Sequence, residues 1–204
     1  MNKPDIDAIR KKHFPMNLGN GFVAKQSTRK EVREFMNENY AKVFSPEQNT
    51  QRPTLAPDRK AKLEGMSDLY DDVHHEYLLI HAPDGAIAGW HMGEMEDWLT
   101  FYMRNTGILP VYQGRGVYKQ LLAKFEAFLE EIGYEKVSSQ HQATNRSILI
   151  AKLKVGYVIA GFELTEIWGP LVKLVKALTP ERRKRFYEMY GDLKHMEPEK
   201  KPQE

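Results

Sequence analysis

The order of apolar and polar positions divides the 204-residue chain into strand-like and helix-like stretches. From Val117 onward, Val117, Leu121, Leu122, Phe125, Phe128, Leu129 and Ile132 recur at helical spacing, and Gly133 supplies a stop. Upstream, "EYLLIHAPDGAIAGWHMGEM" (76–95) holds two β-rich runs joined by Pro83-Asp84-Gly85, which predicts a hairpin. The aromatic and β-branched run "WLTFYMRNTGILP" (98–110) predicts the next strand, ended by Pro110. Downstream, "YEKVSSQHQ" (134–142) reads as a strand, "NRSILIAKLKVG" (145–156) as a helix closed by Gly156, and "YVIAGFEL" (157–164) and "GPLVKLVKAL" (169–178) as two last strands.

The flanks are less regular. Residues 1–20 are charged and then irregular, with Pro15 and Gly19-Asn20-Gly21 as breakers, and read as an N-terminal extension. "GFVAK" (21–25) predicts a short strand, and Thr28 with Glu31 forms a capping box opening a helix with Val32, Phe35 and Met36 on one face. The proline-rich stretch 45–58 reads as a loop before a second helix over roughly 58–70. Thr179-Pro180-Glu181 opens a final helix, and 191–204 reads as a disordered tail after a domain spanning 21–190. No internal repeat or long linker divides the chain.

Composition narrows the chemistry. A 41% hydrophobic and 28% charged chain is ordinary for a globular domain, and a net charge of +2 makes no general case for nucleic acid or membrane. The absence of cysteine excludes disulfides, thiolate metal sites and a Cys nucleophile. No apolar run approaches the roughly 20 residues of a membrane span, and the polar N-terminus lacks a signal-peptide core, so a cytoplasmic protein is the expectation.

The segment Gln113-Gly114-Arg115-Gly116-Val117-Tyr118 stands between a strand and the long helix. Two readings are open. The glycines serve a tight turn with positive φ, or they let backbone amides at the helix N-terminus approach a phosphate, with Arg115 adding a charge. No Gly-Lys-Ser/Thr follows, so this is not a Walker loop, and the third glycine of a dinucleotide fingerprint is missing.

In its wider context the segment resembles the GNAT superfamily of acyl-CoA-dependent N-acyltransferases. Their signature, Gln/Arg-x-x-Gly-x-Gly/Ala, lies between a fourth strand and a long helix. A second element, an Asn opening a helix that ends in Gly-Tyr, matches Asn145 and "KVGY" (154–157). The resemblance implies an α/β (α+β) fold: a central mixed, mostly antiparallel sheet of about seven strands, with helices on both faces. It implies that the amides of Gln113, Gly114, Arg115, Gly116, Val117 and Tyr118 hold the pyrophosphate of acetyl-CoA. Ile108 and Leu109 would pair with the pantetheine arm, the cofactor lying in a splay between family strands four and five. The implied activity is acetyl transfer to a primary amine of a small molecule or peptide, without a metal or a covalent acyl residue. The chain leaves the acceptor and the oligomeric state open, a homodimer being one arrangement.

Two positions depart from the family pattern. Tyr118 stands where Gly or Ala is usual. Lys152 stands where many members carry a tyrosine that protonates the departing thiolate. A lysine there can contact CoA, donate a proton if its pKa is lowered, or be a solvated helix residue. A base must also deprotonate the amine. Counting eleven residues back from Gln113, where some members carry a Glu, lands on Tyr102, so among Glu94, Glu96 and Asp97 the candidate base is Glu96. These gaps keep a rival open, a non-catalytic acyl-CoA-binding sensor or scaffold.

The remaining features read more plainly. His74 and His75 are adjacent and would point to opposite faces of a strand, which suits no metal. His141 suits a buried structural role, a substrate contact or a proton relay. "ERRKR" (181–185) reads as a solvated helix face rather than a nucleic-acid patch, and Trp90, Met92 and Met95 read as core.

Overall fold

A computed structural model describes residues 4–44 and 56–190. In chain order the elements are α1 (Ile6–His13), β1 (Met16–Asn17), β2 (Val23–Gln26), α2 (Arg29–Val43), α3 (Pro57–Asp71), β3 (His75–His81), β4 (Ile87–Met95), β5 (Thr100–Ile108), α4 (Val117–Ile132), β6 (Lys136–Gln142), α5 (Arg146–Lys154), β7 (Val158–Thr165), β8 (Gly169–Ala177) and α6 (Pro180–Tyr190). The strands form one sheet in the order β1-β2-β3-β4-β5-β6-β8-β7. Every neighbouring pair is antiparallel except β5 and β6. A parallel pair requires a crossover, and α4 provides it.

All seven positions of the predicted apolar stripe of α4 are buried, packed with Phe101, Met103, Val137 and Tyr157 on one face of the sheet. Gly133 ends the helix at φ 113°, its N–H reaching the carbonyls of Leu129 and Glu130. On the opposite face, Val32 of α2 packs with Leu79 and the fully buried Trp90, edged by Phe35, Phe44 and Met92. The capping box forms: Glu31 N–H donates to Thr28 Oγ1 at 3.2 Å and Thr28 N–H to Glu31 Oε2 at 2.9 Å. Pro83-Asp84-Gly85 turns the β3–β4 hairpin, with Gly85 N–H bonded to Ala82 O.

The irregular reading of residues 1–20 is corrected. Ile6 and Ile9 of α1, together with Phe14, pack against the α4 side of the core, and the Phe14 ring meets Phe128 edge-on at 5.1 Å. The Arg10 guanidinium bonds the buried carboxylate of Glu76 at 2.9 Å. So short a helix, with two apolar positions, is stabilised by the surface it lands on rather than by its own periodicity. Pairing of β1 with β2 supplies an eighth strand beyond the seven expected. Residues 45–55 of the proline-rich stretch and the tail at 191–204 lie outside the described residues. Among the described residues no helix is long and apolar enough to cross a membrane.

Candidate active site

β5 and β6 stay paired for only three steps, Thr100 with Lys136, Phe101 with Val137 and Tyr102 with Ser138. A bulge lies at the same level on the other side of β5. Met92 pairs with Asn105 and Glu94 with Tyr102, so β5 spends an extra residue at Met103–Arg104. Such a bulge bends its strand and re-aims the side chains beyond it. No further β5–β6 pairs follow, so the ladder ends at Tyr102–Ser138 and leaves a cleft between the rest of β5, up to Ile108, and β6.

At the head of that cleft, a 3-10 turn at Pro110–Tyr112 leads into the glycine segment. Gly114 and Gly116 lie at φ 74° and 78°, a region that a side chain would strain. Gly116 is the N-cap of α4 and carries no capping side chain, so the first-turn amides of Val117 and its successors lack an intrahelical partner. A Cβ at either glycine would meet open space, so the turn is accessible from outside. Gln113 braces it, Nε2 donating to Ile108 O at 2.8 Å. The exposed Arg115 donates to Val111 O at 3.0 Å and lies 5.8 Å from the Tyr112 ring centroid. Tyr118 packs inward against the core, which explains how the motif tolerates a ring at that position. Burial, and then Glu126, push its hydroxyl pKa up.

Beneath the cleft lies Lys152, which is 1% exposed. The solvated reading of this residue is corrected. It shares the inward face of α5 with Leu149 and Leu153, an i, i+3, i+4 pattern that was visible in the chain. Its Nζ donates to Ser139 Oγ of β6 at 2.6 Å, lies 3.9 Å from Met103 Sδ of β5, and sits 4.5 Å from the Tyr157 ring centroid. It therefore reaches both strands just beyond their last pair, well below the glycine turn. Both oxygens of Glu126, the carboxylate that acts on it electrostatically, are engaged, by Tyr157 Oη at 2.8 Å and Lys176 Nζ at 2.5 Å. Burial lowers the Lys152 pKa from 10.5 to about 7; Glu126 opposes this and Lys176 adds to it. Asn145 takes the N-cap position of α5, its Oδ1 accepting from Ser147 Oγ at 3.2 Å.

Two histidines face the same lysine. His91 of β4 is fully buried, with Nδ1 2.7 Å from Thr106 Oγ1 and Nε2 without a partner among the described residues. His141 of β6 is part-buried, with Nε2 3.0 Å from Ser139 Oγ. Burial first, and the charge of Lys152 second, hold both near pKa 3.

On the opposite face the strands border a cavity of about 260 Å³, lined by Tyr70, Glu94, Glu96, Tyr102, Arg104 and Gln140 among others. Glu96 accepts from Ser138 Oγ at 2.5 Å through one oxygen and pairs with Lys173 through the other. Because Ser138 belongs to the last β5–β6 pair, this carboxylate stands at the origin of the cleft. The buried Glu94 pairs with Arg104, whose Nε donates at 2.6 Å. Tyr102 bonds Gln140 at 3.1 Å, and burial pushes its hydroxyl up to about 12, with Arg104 opposing.

The other candidates lie elsewhere. Asp97 turns back on its own loop, accepting from Leu99 N–H at 2.7 Å. His74 bonds Tyr134 Oη and Glu76, while His75 bonds Val73 O. No group of three or more potential metal ligands occurs among the described residues. In "ERRKR", Arg182 pairs with Glu135, Lys184 lies 3.8 Å from Glu188, and Arg183 reaches the carbonyls of Leu178 and Thr179. Ser139, Glu126, Tyr157, Lys176 and His91 were not singled out as site residues from sequence, because only the tertiary fold converges them on Lys152.

Solved structures share this architecture. A putative acetyltransferase of Salmonella typhimurium with its cofactor acetyl-CoA superposes with a TM-score of 0.55 at 15% identity, covering 79% of this chain and 96% of that one. The spermidine N-acetyltransferase of Vibrio cholerae, in complex with CoA and spermine, gives 0.57 at 12% identity, covering 78% and 97%. An acetyl transferase of Salmonella typhimurium that modifies the N-terminal serine of ribosomal protein L7/L12 gives 0.57 at 13%, covering 79% and 98%. No curated protein sequence matches the chain. Residues 34–157 match the acetyltransferase (GNAT) family profile, a span that holds the opened strands, the glycine turn, Lys152 and Tyr157. The chain therefore belongs to the GNAT acetyltransferase family.

Proposed function

We propose that this acetyltransferase moves the acetyl group of acetyl-CoA directly onto a primary amine of a small molecule or peptide. The observation that carries the reading is the opening of β5 from β6 directly over a buried lysine bonded to Ser139. In this reading the open turn of Gln113, Gly114, Arg115, Gly116, Val117 and Tyr118 receives the pyrophosphate. The backbone of Ile108 and Leu109 guides the pantetheine arm, and amides near Leu109 polarise the thioester carbonyl. Asn145, at the N-cap of α5, is read as a further contact to CoA.

The acceptor approaches from the Glu96 face. Glu96 takes the proton from the attacking amine, and carbon–nitrogen bond formation expels the thiolate of CoA toward Lys152. An ordinary thiol has a pKa of about 8.5, so an ammonium near 7 transfers its proton downhill by roughly 2 kcal/mol. Holding amine and thioester together supplies much of the remaining acceleration.

The rival reading, an acyl-CoA-binding module without turnover, draws on the engagement of both Glu96 oxygens, by Ser138 and Lys173. Release of free thiol from acetyl-CoA, with and without a broad panel of amines from about pH 6 to 9, decides between them. Amine-dependent release supports the transferase. Tight CoA binding with no amine-dependent release across the panel would overturn it in favour of the module.

A further inference from the structure

A buried acid works only once unless its proton is replaced. Lys152 is 1% exposed, and while CoA fills the cleft above it its neighbours offer few exits. Tyr157 presents its ring to the ammonium, while its hydroxyl is turned to Glu126. Glu126 is in turn tied to Lys176. Met103 Sδ is a weak acceptor at 3.9 Å and cannot pass a proton on. His91 is completely enclosed and bonded to Thr106. One continuous hydrogen-bonded path remains among the described residues. It runs from Lys152 Nζ to Ser139 Oγ at 2.6 Å, and from Ser139 Oγ to His141 Nε2 at 3.0 Å, ending on a ring only part-buried.

We propose that Ser139 and His141 are the proton-return path to Lys152, carrying a proton from solvent inward after each acyl transfer. The inference rests on the reading of Lys152 as the acid that protonates the departing thiolate. After that step Nζ is neutral and carries a lone pair. The Ser139 hydroxyl gives its proton to Nζ and takes one from His141 Nε2–H, while His141 Nδ1 takes one from solvent; a flip of the part-buried ring then turns that N–H toward Ser139 for the next turnover. One proton enters for each proton lost to CoA, and the proton removed from the amine leaves on the Glu96 side. A serine hydroxyl both donates and accepts, so it can pass a proton without becoming charged between turnovers.

The electrostatics favour this order. The charged and titratable groups that face Lys152 are Glu126 of α4, Lys176 of β8, His91 of β4, His141 of β6 and Tyr157, just after α5. While Lys152 is charged it repels a proton from His141. Once Lys152 has discharged, that repulsion ends, and His141 becomes easier to protonate when a proton is needed.

The test compares the first turnover with later ones, using acetyl-CoA and the fastest amine of the panel. At pH 6, below the Lys152 pKa of about 7, a resting Lys152 still holds its proton in Ser139→Ala and in His141→Gln. We expect His141→Gln to give a burst of about one thiol per protein at the wild-type rate, then a steady state at least tenfold slower, and Ser139→Ala to share that slow steady state. That slow phase should show an enlarged solvent isotope effect, with Ser139→Thr restoring it, and added imidazole restoring it in His141→Gly. Equal slowing of first and later turnovers in both variants, or wild-type kinetics in both, would overturn the path. Absence of amine-dependent release from the wild-type protein would instead overturn the transferase reading on which it rests.

Discussion

Replacing Lys152 with methionine should stabilise the protein while removing the proposed acid, and the gain should depend on pH in a calculable way. Folding lowers the lysine's pKa from 10.5 to about 7. Between those values the unfolded chain binds a proton that the folded chain does not, so wild-type stability rises with pH, by about 1.4 kcal/mol per pH unit. Above about 10.5 the lysine is neutral in both states and the penalty vanishes; below about 7 it is charged in both and the penalty is complete. The full interval amounts to roughly 5 kcal/mol, an upper bound on what methionine can recover. Methionine fills a similar volume but leaves Ser139 without its donor, at about 1 kcal/mol. We therefore expect Lys152→Met to be more stable by about 2–3 kcal/mol near pH 6.5, and the gain to fall to zero or below by pH 9.5.

Urea unfolding followed by tryptophan fluorescence gives the midpoint, and an unchanged slope shows that only stability has moved. Measurement should begin near pH 6.5, because His91 and His141 are held down partly by Lys152 and rise when its charge is removed. A stability difference that is flat from pH 6.5 to 9.5 would refute the reasoning. So would a variant less stable by 2 kcal/mol at the acid end, since a lysine that is well paired costs nothing to keep. The stabilised variant should at the same time lose turnover, as a site that holds an uncomfortable group for chemistry must.

Further outcomes follow from the same geometry. Gly116→Val places a branched residue at φ 78°, costing about 1–2 kcal/mol of strain without a clash in the free protein. CoA affinity by calorimetry should fall by well over tenfold, and unchanged affinity in a folded variant would remove the phosphate-loop reading. As the proposed acid Lys152 must be protonated to act, so the wild-type rate should fall as pH rises through about 7. In Lys152→Tyr, burial keeps the replacement phenol protonated, so the falling limb should leave the range below pH 9, and a limb that stays near 7 would clear Lys152 of the role. Glu96→Gln should lower turnover and flatten the rising limb in a pH–rate profile, whereas an unaltered profile would assign the base elsewhere.

What the chain disclosed in advance divides along a physical line. The face of α4, the stop at Gly133, the hairpin turn and the glycine segment are local: each is written in residues within a few positions of one another. Ser139 is different. On β6 its neighbours Val137 and His141 share its face, but nothing in "KVSSQHQ" says that a lysine thirteen residues later will donate to it. Lys152 carried one legible hint, its place with Leu153 at i+3 and i+4 from Leu149, yet lysine is so often solvated that burial had no claim from spacing alone. Glu126 and Lys176 were equally silent, since their pairing joins α4 to β8 across 50 residues. The counting argument that led to Tyr102 met a further obstacle. It treats β5 as evenly alternating, and the extra residue at Met103–Arg104 changes which face each later side chain meets.

That bulge has a consequence for mechanism. Amide formation needs a base for the incoming nitrogen and an acid for the outgoing sulfur, and the two must not neutralise each other. In this fold Glu96 and Lys152 stand on opposite faces of the sheet, the first tied to Ser138 and Lys173, the second to Ser139. Ser138 and Ser139 are consecutive on β6, so strand alternation alone sends their hydroxyls to opposite sides. Closed, the sheet would keep both groups from any common atom. Opened beyond Tyr102–Ser138, it would, on the proposed reading, admit a thioester with its carbonyl carbon between them. If this is how the site works, straightening β5 by deleting Arg104 should close the gap and abolish acetyl transfer, with the glycine turn left intact. Residual binding of CoA fragments that carry the pyrophosphate but lack the thioester arm would then separate the two halves of the site. Retained transfer in the deletion variant would show that the bulge does not create the passage.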